Sequence, residues 1–367
     1  MKITDIRLGM LRVPLHTPFK TALRTVQAIE DVVVMVHTDN GHIGYGSAAA
    51  TPPITGDTHG AIIAAIEHCI APRLIGEDIA DLNRIIGRIQ GALAHNNSAK
   101  AALDIAIHDL WAQSYGAPLY RVLGGGTPTL VTDLTISVNT IDTMVRDAHS
   151  AIARGFVALK IKVGQDTAED IARVKAIHDA VGGRAQLRLD ANQGWTPKQA
   201  VHAMHTLEQA GVVLELLEQP VKADDLDGLK YVTERVQTTV MADESVFAPA
   251  QAIALLRQRA ADILNIKLMK AGGIANALRI ADIAAAYGVP CMIGCMLESS
   301  IGVAAAAHLA VARANIITKV DLDSPSLGMF DPVDGGVRFD EAQIHISDAP
   351  GLGIRAIRGL EPLPRSA

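Results

Sequence analysis

The chain of 367 residues is 49% hydrophobic and 20% charged, long enough for a barrel of ~250 residues plus a second domain of ~100 and too apolar for disorder. A net charge of −6 without any Lys/Arg block argues against nucleic acid and anionic membranes as partners. Three cysteines, Cys69, Cys291 and Cys295, are too few and too odd in number for a disulfide framework, and no uncharged apolar run reaches the ~18 residues of a membrane span.

From the start of the chain, MKITDIRLGMLRVPL carries Asp5 and Arg7 where a signal peptide needs an apolar stretch, so a cytoplasmic location is expected. Residues 31–39 alternate as a strand, and the NGH that follows (40–42) is a turn signal. PLHTPFKTALRT (14–25) reads as a loop or hairpin tip, because its prolines interrupt any regular element, and ATPPITGDT (50–58) has the same character. Residues 59–95 and 97–115 have helical periodicity, and LGGGTP (123–128) looks like a linker. Residues 1–125 are thus an expected α+β capping domain, which the strand-like tail (about 335–367) would complete.

Residues 126–334 alternate strand and helix. The predicted strands are 130–138, 157–163, 186–190, 213–218, 239–243, 262–267, 290–294 and 316–322. Thr196 and Pro197 supply an N-cap and a first helical proline, and Gly211 ends that helix. Such alternation argues for parallel α/β architecture. A doubly wound sheet competes, but no Gly-rich fingerprint follows the first strand.

Six chemically useful residues recur at nearly one interval: Lys162, Asp190, Glu218, Asp243, Lys267 and Asp321. Successive gaps are 28, 28, 25 and 24 residues, and the last, 54, is two steps. One strand–helix unit spans roughly 30 residues, and parallel barrel strands all end at one mouth, where barrel enzymes keep their chemistry. Asp190, Glu218 and Asp243 end three consecutive strands, ~4.8 Å apart. Anions that close repel one another unless a cation neutralises them, and few protein ligands with room for substrate oxygen suit Mg2+. His202 and His205 fall on an outer helix and read as solvated. Cys291 and Cys295 form a C-x3-C pair without a second pair and read as small buried residues.

Lys160 and Lys162 share one strand face. Two buried ammonium groups depress each other's pKa, which brings one toward the range a general base needs. Lys267 ends a strand four positions around the barrel, on the opposite side. Two lysines across a metal suit proton abstraction alpha to a carboxylate: one removes the α-proton, Mg2+ holds the enediolate, and the other returns a proton to the opposite face.

LKIKVG (159–164), LRLDANQGW (187–195), LLEQP (216–220), MADES (241–245) and NIKLMKAGG (265–273) resemble the enolase superfamily, in the order found in its muconate-lactonizing subgroup. KAALDIAIHDLWAQ and PLYRVLGG (118–125) extend the resemblance into the first domain. It implies a modified (β/α)7β barrel with an α+β cap, Mg2+ on Asp190, Glu218 and Asp243, Lys162 and Lys267 as the acid/base pair, and Lys160 on the substrate carboxylate. Asp321-Leu322-Asp323 resembles the pair that holds the α-ammonium in dipeptide epimerases. FKTALRT (19–25) is similar to the capping loop of L-Ala-D/L-Glu epimerases, which implies that Arg24 binds the glutamate side chain. Thr135 and Ile54 occupy similar substrate-contacting positions. Ser47 departs from the Glu of many relatives.

The implied activity is Mg2+-dependent epimerisation of the C-terminal residue of a dipeptide, L-Ala-D/L-Glu foremost. Other dipeptides, N-acylamino acid racemisation and an o-succinylbenzoate synthase-like reaction stay open. A non-catalytic Mg2+-dependent binding protein is the reading outside enzymology. The expected partner is a small-molecule dipeptide, and a homo-oligomer is left open.

Overall fold

The structure, a computed structural model, describes residues 1–21 and 24–364. Residues 22 and 23 of the predicted loop, and 365–367 of the tail, lie outside the described residues.

Three antiparallel strands open the chain: β1 (Ile3–Lys20), β2 (Thr25–Thr38) and β3 (Ile43–Ala49). The predicted NGH turn joins β2 to β3, with Gly41 at φ 84° in the left-handed region that glycine tolerates. The loop expected at 14–25 is shorter than the prolines suggested, because β1 continues to Lys20. Its pairing with β2 breaks register between Pro14 and Phe19, and prolines are tolerated at such an irregularity.

Helix Asn97–Ser114 packs on this sheet and is buried on nearly every face. The approach is backbone to backbone: a Cβ added at Gly46 would lie 1.9 Å from the Ala102 carbonyl oxygen. The buried acids of this helix serve as backbone acceptors. Asp104 Oδ1 accepts the Ile274 N–H at 2.6 Å and Asp109 Oδ2 accepts that of Tyr45 at 2.9 Å.

The predicted first barrel strand, 130–138, is two strands. β4 (Thr129–Val131) leaves the barrel, and β5 (Leu134–Ile136) belongs to it. Between them Asp133 turns inward to pair with Arg188, Oδ2 to Nη1, at 2.7 Å. The rest follow as predicted, with slightly shorter bounds: β6 (Ala158–Lys162), β7 (Gln186–Asp190), β8 (Leu216–Glu218), β9 (Thr239–Ala242), β10 (Ile263–Lys267), β11 (Cys291–Gly294) and β12 (Ile317–Asp321). They pair in parallel and in chain order from β5 to β12. Helices cover the outside, and Thr196 caps Pro197–Gln209 with the predicted geometry. At the seam between β12 and β5, side chains replace ladder bonds. Thr132 Oγ1 accepts the Leu322 N–H at 2.8 Å, and Asp323 Oδ2 accepts the Thr135 N–H at 2.7 Å.

The tail contributes β13 (Val333–Gly335), β14 (Val337–Asp340), β15 (Gln343–Ile346), β16 (Ile354–Ile357) and β17 (Glu361–Pro362). β17 pairs with β1, β14 and β15 form a sheet with β4, and β13 pairs with β16. Among the described residues no helix is long and apolar enough to cross a membrane.

Candidate active site

Side chains alternate along β6, so Leu159 and Ile161 pack outward into the core while Lys160 and Lys162 point into the barrel. Pairing register then sets Lys162 beside Asp190, and Asp190 beside Glu218. Asp243 follows the last residue of β9. All three carboxylates are almost fully buried, as are Lys160, Lys162 and Lys267. The turns after them are strained. Asn192, Gln193 and Gln219 have φ of 43°, 67° and 33°, a region that costs non-glycine residues free energy and recurs at functional sites. The side chain of Gln219 compensates: its Oε1 accepts the Asp243 N–H at 2.9 Å and its Nε2 donates to Ser245 Oγ at 2.8 Å.

The lysines and carboxylates interlock. Lys160 Nζ lies 3.0 Å from Asp190 Oδ2, 2.7 Å from Glu218 Oε2 and 2.7 Å from Asp321 Oδ2. Lys162 Nζ is 2.6 Å from Asp190 Oδ2. Lys267 Nζ is 2.8 Å from Asp243 Oδ2, and Lys270 Nζ is 2.6 Å from Asp243 Oδ1. The expected depression of a lysine pKa is not found at Lys160. Burial pushes it down, but Asp190, Asp321 and Glu218 outweigh burial and hold it well above the ordinary lysine value. Burial lowers Lys267 as well, but Asp243 together with Glu218 and Asp321 outweighs it and holds the lysine above its ordinary value.

Glu218 is pushed up to about 7 by burial and then by Asp190. Glu244 is pushed up to about 8 by burial and then by Asp243 and Asp190. Burial would raise Asp243 too, but Lys267, Lys270 and Lys160 bring it below the usual carboxylate range.

Among the described residues, no three His, Cys, Asp or Glu side chains converge to hold a metal ion as they stand. Ammonium groups occupy the space between the carboxylates. The donor chemistry nevertheless fits a hard divalent cation. The donors are all oxygen, burial and the neighbouring carboxylates raise Glu218 and Glu244 above the carboxylate range, and among the described residues buried oxygens of Asn192, Glu244 and Asn265 lack hydrogen-bond partners. Asn192, Gln219, Glu244, Asn265 and Lys270 were not singled out from the sequence. Asn265 carried a usable signal, since it lies two before Lys267 on one strand face; its Nδ2 donates to Glu218 Oε1 at 2.9 Å.

Above this layer is a cavity of about 50 Å3, narrower than the ~300–1,000 Å3 of most small-molecule sites. It gathers Arg24, Thr135, Lys160, Lys162, Lys267, Asp321, Asp323 and Ile54, so the proposed acid/base and substrate residues meet in one place. Arg24 is half-buried, and burial alone lowers its pKa, with no acidic partner among the described residues. Asp321 is held at about 2, because Lys160 and Lys267 outweigh its burial. Asp323 is pushed up to about 6 by burial and by Asp321.

The Lys162 ammonium lies 6.0 Å from the centroid of the Phe19 ring, within cation–π reach. Cys291 is buried, as expected, whereas Cys295 lines the cavity. Ser47 is buried on β3 opposite Val33, away from the cavity lining. His205 is on the outer face of its helix, as read, where its Nε2 meets the Arg235 carbonyl.

Residues 3–124 match the mandelate racemase / muconate lactonizing enzyme N-terminal domain, and residues 143–358 the enolase C-terminal domain-like family. The chain is 51% identical to an L-Ala-D/L-Glu epimerase of Clostridium acetobutylicum, over 97% of this chain and 99% of that one. Its structure resembles the substrate-liganded complex of the L-Ala-D/L-Glu epimerase from Bacillus subtilis, with a TM-score of 0.96, 49% identity, and coverage of 97% of this chain and 99% of that one. A dipeptide epimerase from Enterococcus faecalis V583, complexed with Mg and L-Leu-L-Tyr, has a TM-score of 0.94, 42% identity, and coverage of 97% and 100%. With family matches over both domains and relatives of this likeness along almost the whole length, the chain belongs to the mandelate racemase / muconate lactonizing enzyme family of the enolase superfamily.

Proposed function

We propose that the protein epimerises the C-terminal residue of a dipeptide, interconverting L-Ala-D-Glu and L-Ala-L-Glu. The observation that carries this reading is the charge layout of the cavity. Lys162 and Lys267 reach it from β6 and β10, each against its own carboxylate. Arg24 enters from the cap as a cation without an acidic partner among the described residues. Asp321 and Asp323 line the same cavity. A dipeptide with an acidic side chain has the matching charges: a side-chain carboxylate for Arg24, an ammonium for Asp321 and Asp323, and an α-carboxylate for Lys160.

Asp190, Glu218 and Asp243 would hold Mg2+, with the lysine ammonium groups drawing aside from their oxygens. When bound, the cation supplies several kcal/mol of stabilisation to charge that develops on the substrate carboxylate. In one direction Lys162, as neutral amine, takes the α-proton from one face, and Lys267, as ammonium, gives a proton to the other. The reverse direction exchanges the roles. Phe19 and the rest of the cap wall exclude water from the amine during transfer. Arg24, without an acidic partner among the described residues, favours an acidic side chain over an apolar one at the reacting residue.

Proton NMR of L-Ala-L-Glu with the protein and Mg2+ in D2O tests the proposal. The Glu α-proton signal is expected to fade as L-Ala-D-Glu appears. Absence of exchange with this dipeptide, with exchange of L-Leu-L-Tyr instead, would move the specificity to apolar dipeptides. Absence of exchange with any dipeptide or N-acylamino acid would refute the enzyme reading.

A further inference from the structure

Behind the cavity wall, two buried acids meet where the cap docks on the barrel. Asp31 lies on β2 and Glu298 follows β11, and both are almost fully buried. Asp31 Oδ2 accepts the Ser299 N–H at 2.8 Å, and Glu298 Oε1 accepts the Met296 N–H at 2.8 Å. Ser324 Oγ binds both the N–H and the carbonyl of Glu298, at 2.8 and 2.7 Å. Cys295, Met296, Leu297 and Ser324 line the cavity. The two acids therefore hold the backbone of one cavity wall, one from the barrel and one from the cap.

Among the described residues, four polar atoms of this cluster lack a hydrogen-bond partner of normal geometry: Asp31 Oδ1, Glu298 Oε2, Ser47 Oγ and Ser299 Oγ. They converge. A Cβ added at Gly302 would lie 2.0 Å from Glu298 Oε2 and 3.3 Å from Ser47 Oγ, and both serine hydroxyls face Asp31. Among the described residues neither acid forms an ion pair. The charged or titratable groups that face them are His59 toward Asp31, and Lys267 and Cys295 toward Glu298. Two ionised carboxylates buried here without a cation partner would repel each other, a cost that the two serine hydroxyls offset only in part. One added proton removes the repulsion and gives the pair an O–H donor of its own.

We propose that Asp31 and Glu298 hold one proton between them, relayed by the Ser47 and Ser299 hydroxyls, and that this acid pair positions the 295–299 wall of the cavity against the cap. Both are positioning residues, since neither lines the cavity. Burial, and for Glu298 also Asp31, raises both acids above the carboxylate range, in keeping with a retained proton. Such a pair titrates as a unit, so the proton belongs to neither acid alone. The proton comes from solvent on folding, and no other bond changes.

The test uses the full chain and the variants E298Q, E298A and D31N. At neutral pH, the infrared difference between wild type and E298Q is expected to show loss of one neutral-carboxyl carbonyl band, and D31N is expected to shift or remove the same band. That readout needs no substrate and decides the shared proton even if the epimerase reading, on which the kinetic arm rests, fails. In the kinetic arm E298Q, a neutral isostere, is expected to keep KM within ~3-fold of wild type, while E298A raises it ~10-fold or more with a smaller change in kcat. E298Q is also expected to flatten the loss of Tm that wild type shows as pH rises through neutrality. An unchanged carboxyl band in E298Q, or a KM defect in E298Q equal to that of E298A, would overturn the proposal.

Discussion

Asp323 Oδ2 accepts the Thr135 backbone N–H at 2.7 Å, across the seam where β12 and β5 share no ladder bond. The carboxylate thus performs two tasks. It closes the barrel as a hydrogen-bond acceptor, and it lines the cavity as a negative charge beside Asp321.

Those tasks separate in Asp323→Asn. The amide oxygen still accepts from Thr135, so the melting temperature is expected to stay near wild type. Loss of the charge-assisted contact, ~1.5–3 kcal/mol, should lower kcat/KM for L-Ala-L-Glu by ~10–150-fold. An N-acyl glutamate has no ammonium, and its exchange rate should be unaffected. Parallel kinetics on the two substrates check this.

Arg24→Met removes the cation that has no acidic partner among the described residues. Turnover of L-Ala-L-Glu is expected to fall by about 10–100-fold, mainly through KM, while a dipeptide with an apolar second residue is spared. If both substrates lose equally, Arg24 shapes the loop and does not choose the side chain.

Lys162→Ala and Lys267→Ala should each abolish epimerisation yet leave exchange of a single enantiomer. Each variant keeps the base for one face of the α-carbon. Deuterium incorporation followed separately for L-Ala-L-Glu and L-Ala-D-Glu should show opposite surviving enantiomers in the two variants. Survival of the same enantiomer in both would show that the lysines do not serve opposite faces.

Mg2+ binding should tighten as pH rises from about 6 to about 8. Glu218 at about 7 and Glu244 at about 8 hold protons near neutrality, and a cation must displace those protons. The stability sign follows from the same shifts. The folded metal-free chain keeps protons that the unfolded chain has released, so its stability falls as pH rises from the ordinary carboxylate range through those values. Mg2+ at about 100 times its Kd stabilises by about 2.7 kcal/mol, and Tm with and without EDTA should differ more at pH 8 than at pH 6.

Gly46→Ala tests the cap. Its new methyl would lie 1.9 Å from the Ala102 carbonyl oxygen, with backbone on both sides of the clash. Overpacking of this kind costs ~1–3 kcal/mol, measurable by denaturant unfolding. Gly56, with nothing within 4 Å of an added Cβ, has no such contact, although its positive φ adds backbone strain in either case.

Which residues occupy the barrel mouth was legible in the sequence. One strand–helix unit has a nearly fixed length, so a carboxylate or lysine recurring at that interval falls at successive strand ends. Alternation along a strand then decides which side chains face inward, as Leu159 and Ile161 against Lys160 and Lys162 illustrate. These are short-range constraints, and they set eight strands, the inward face and the six recurring residues.

The tertiary structure decided who pairs with whom. Lys160 is clamped by Asp190, Glu218 and Asp321 because three strands converge on it, and that reversed the direction of its expected pKa shift. Asp133 broke the first predicted strand in two because Arg188, 55 residues away in sequence, draws it inward. Asp31 and Ser299 are 268 residues apart, and no local pattern links them. Periodicity reports the geometry of a chain with itself over a few residues, whereas charge pairing and burial depend on neighbours through space, which exist only after the barrel has formed and the cap has docked on it.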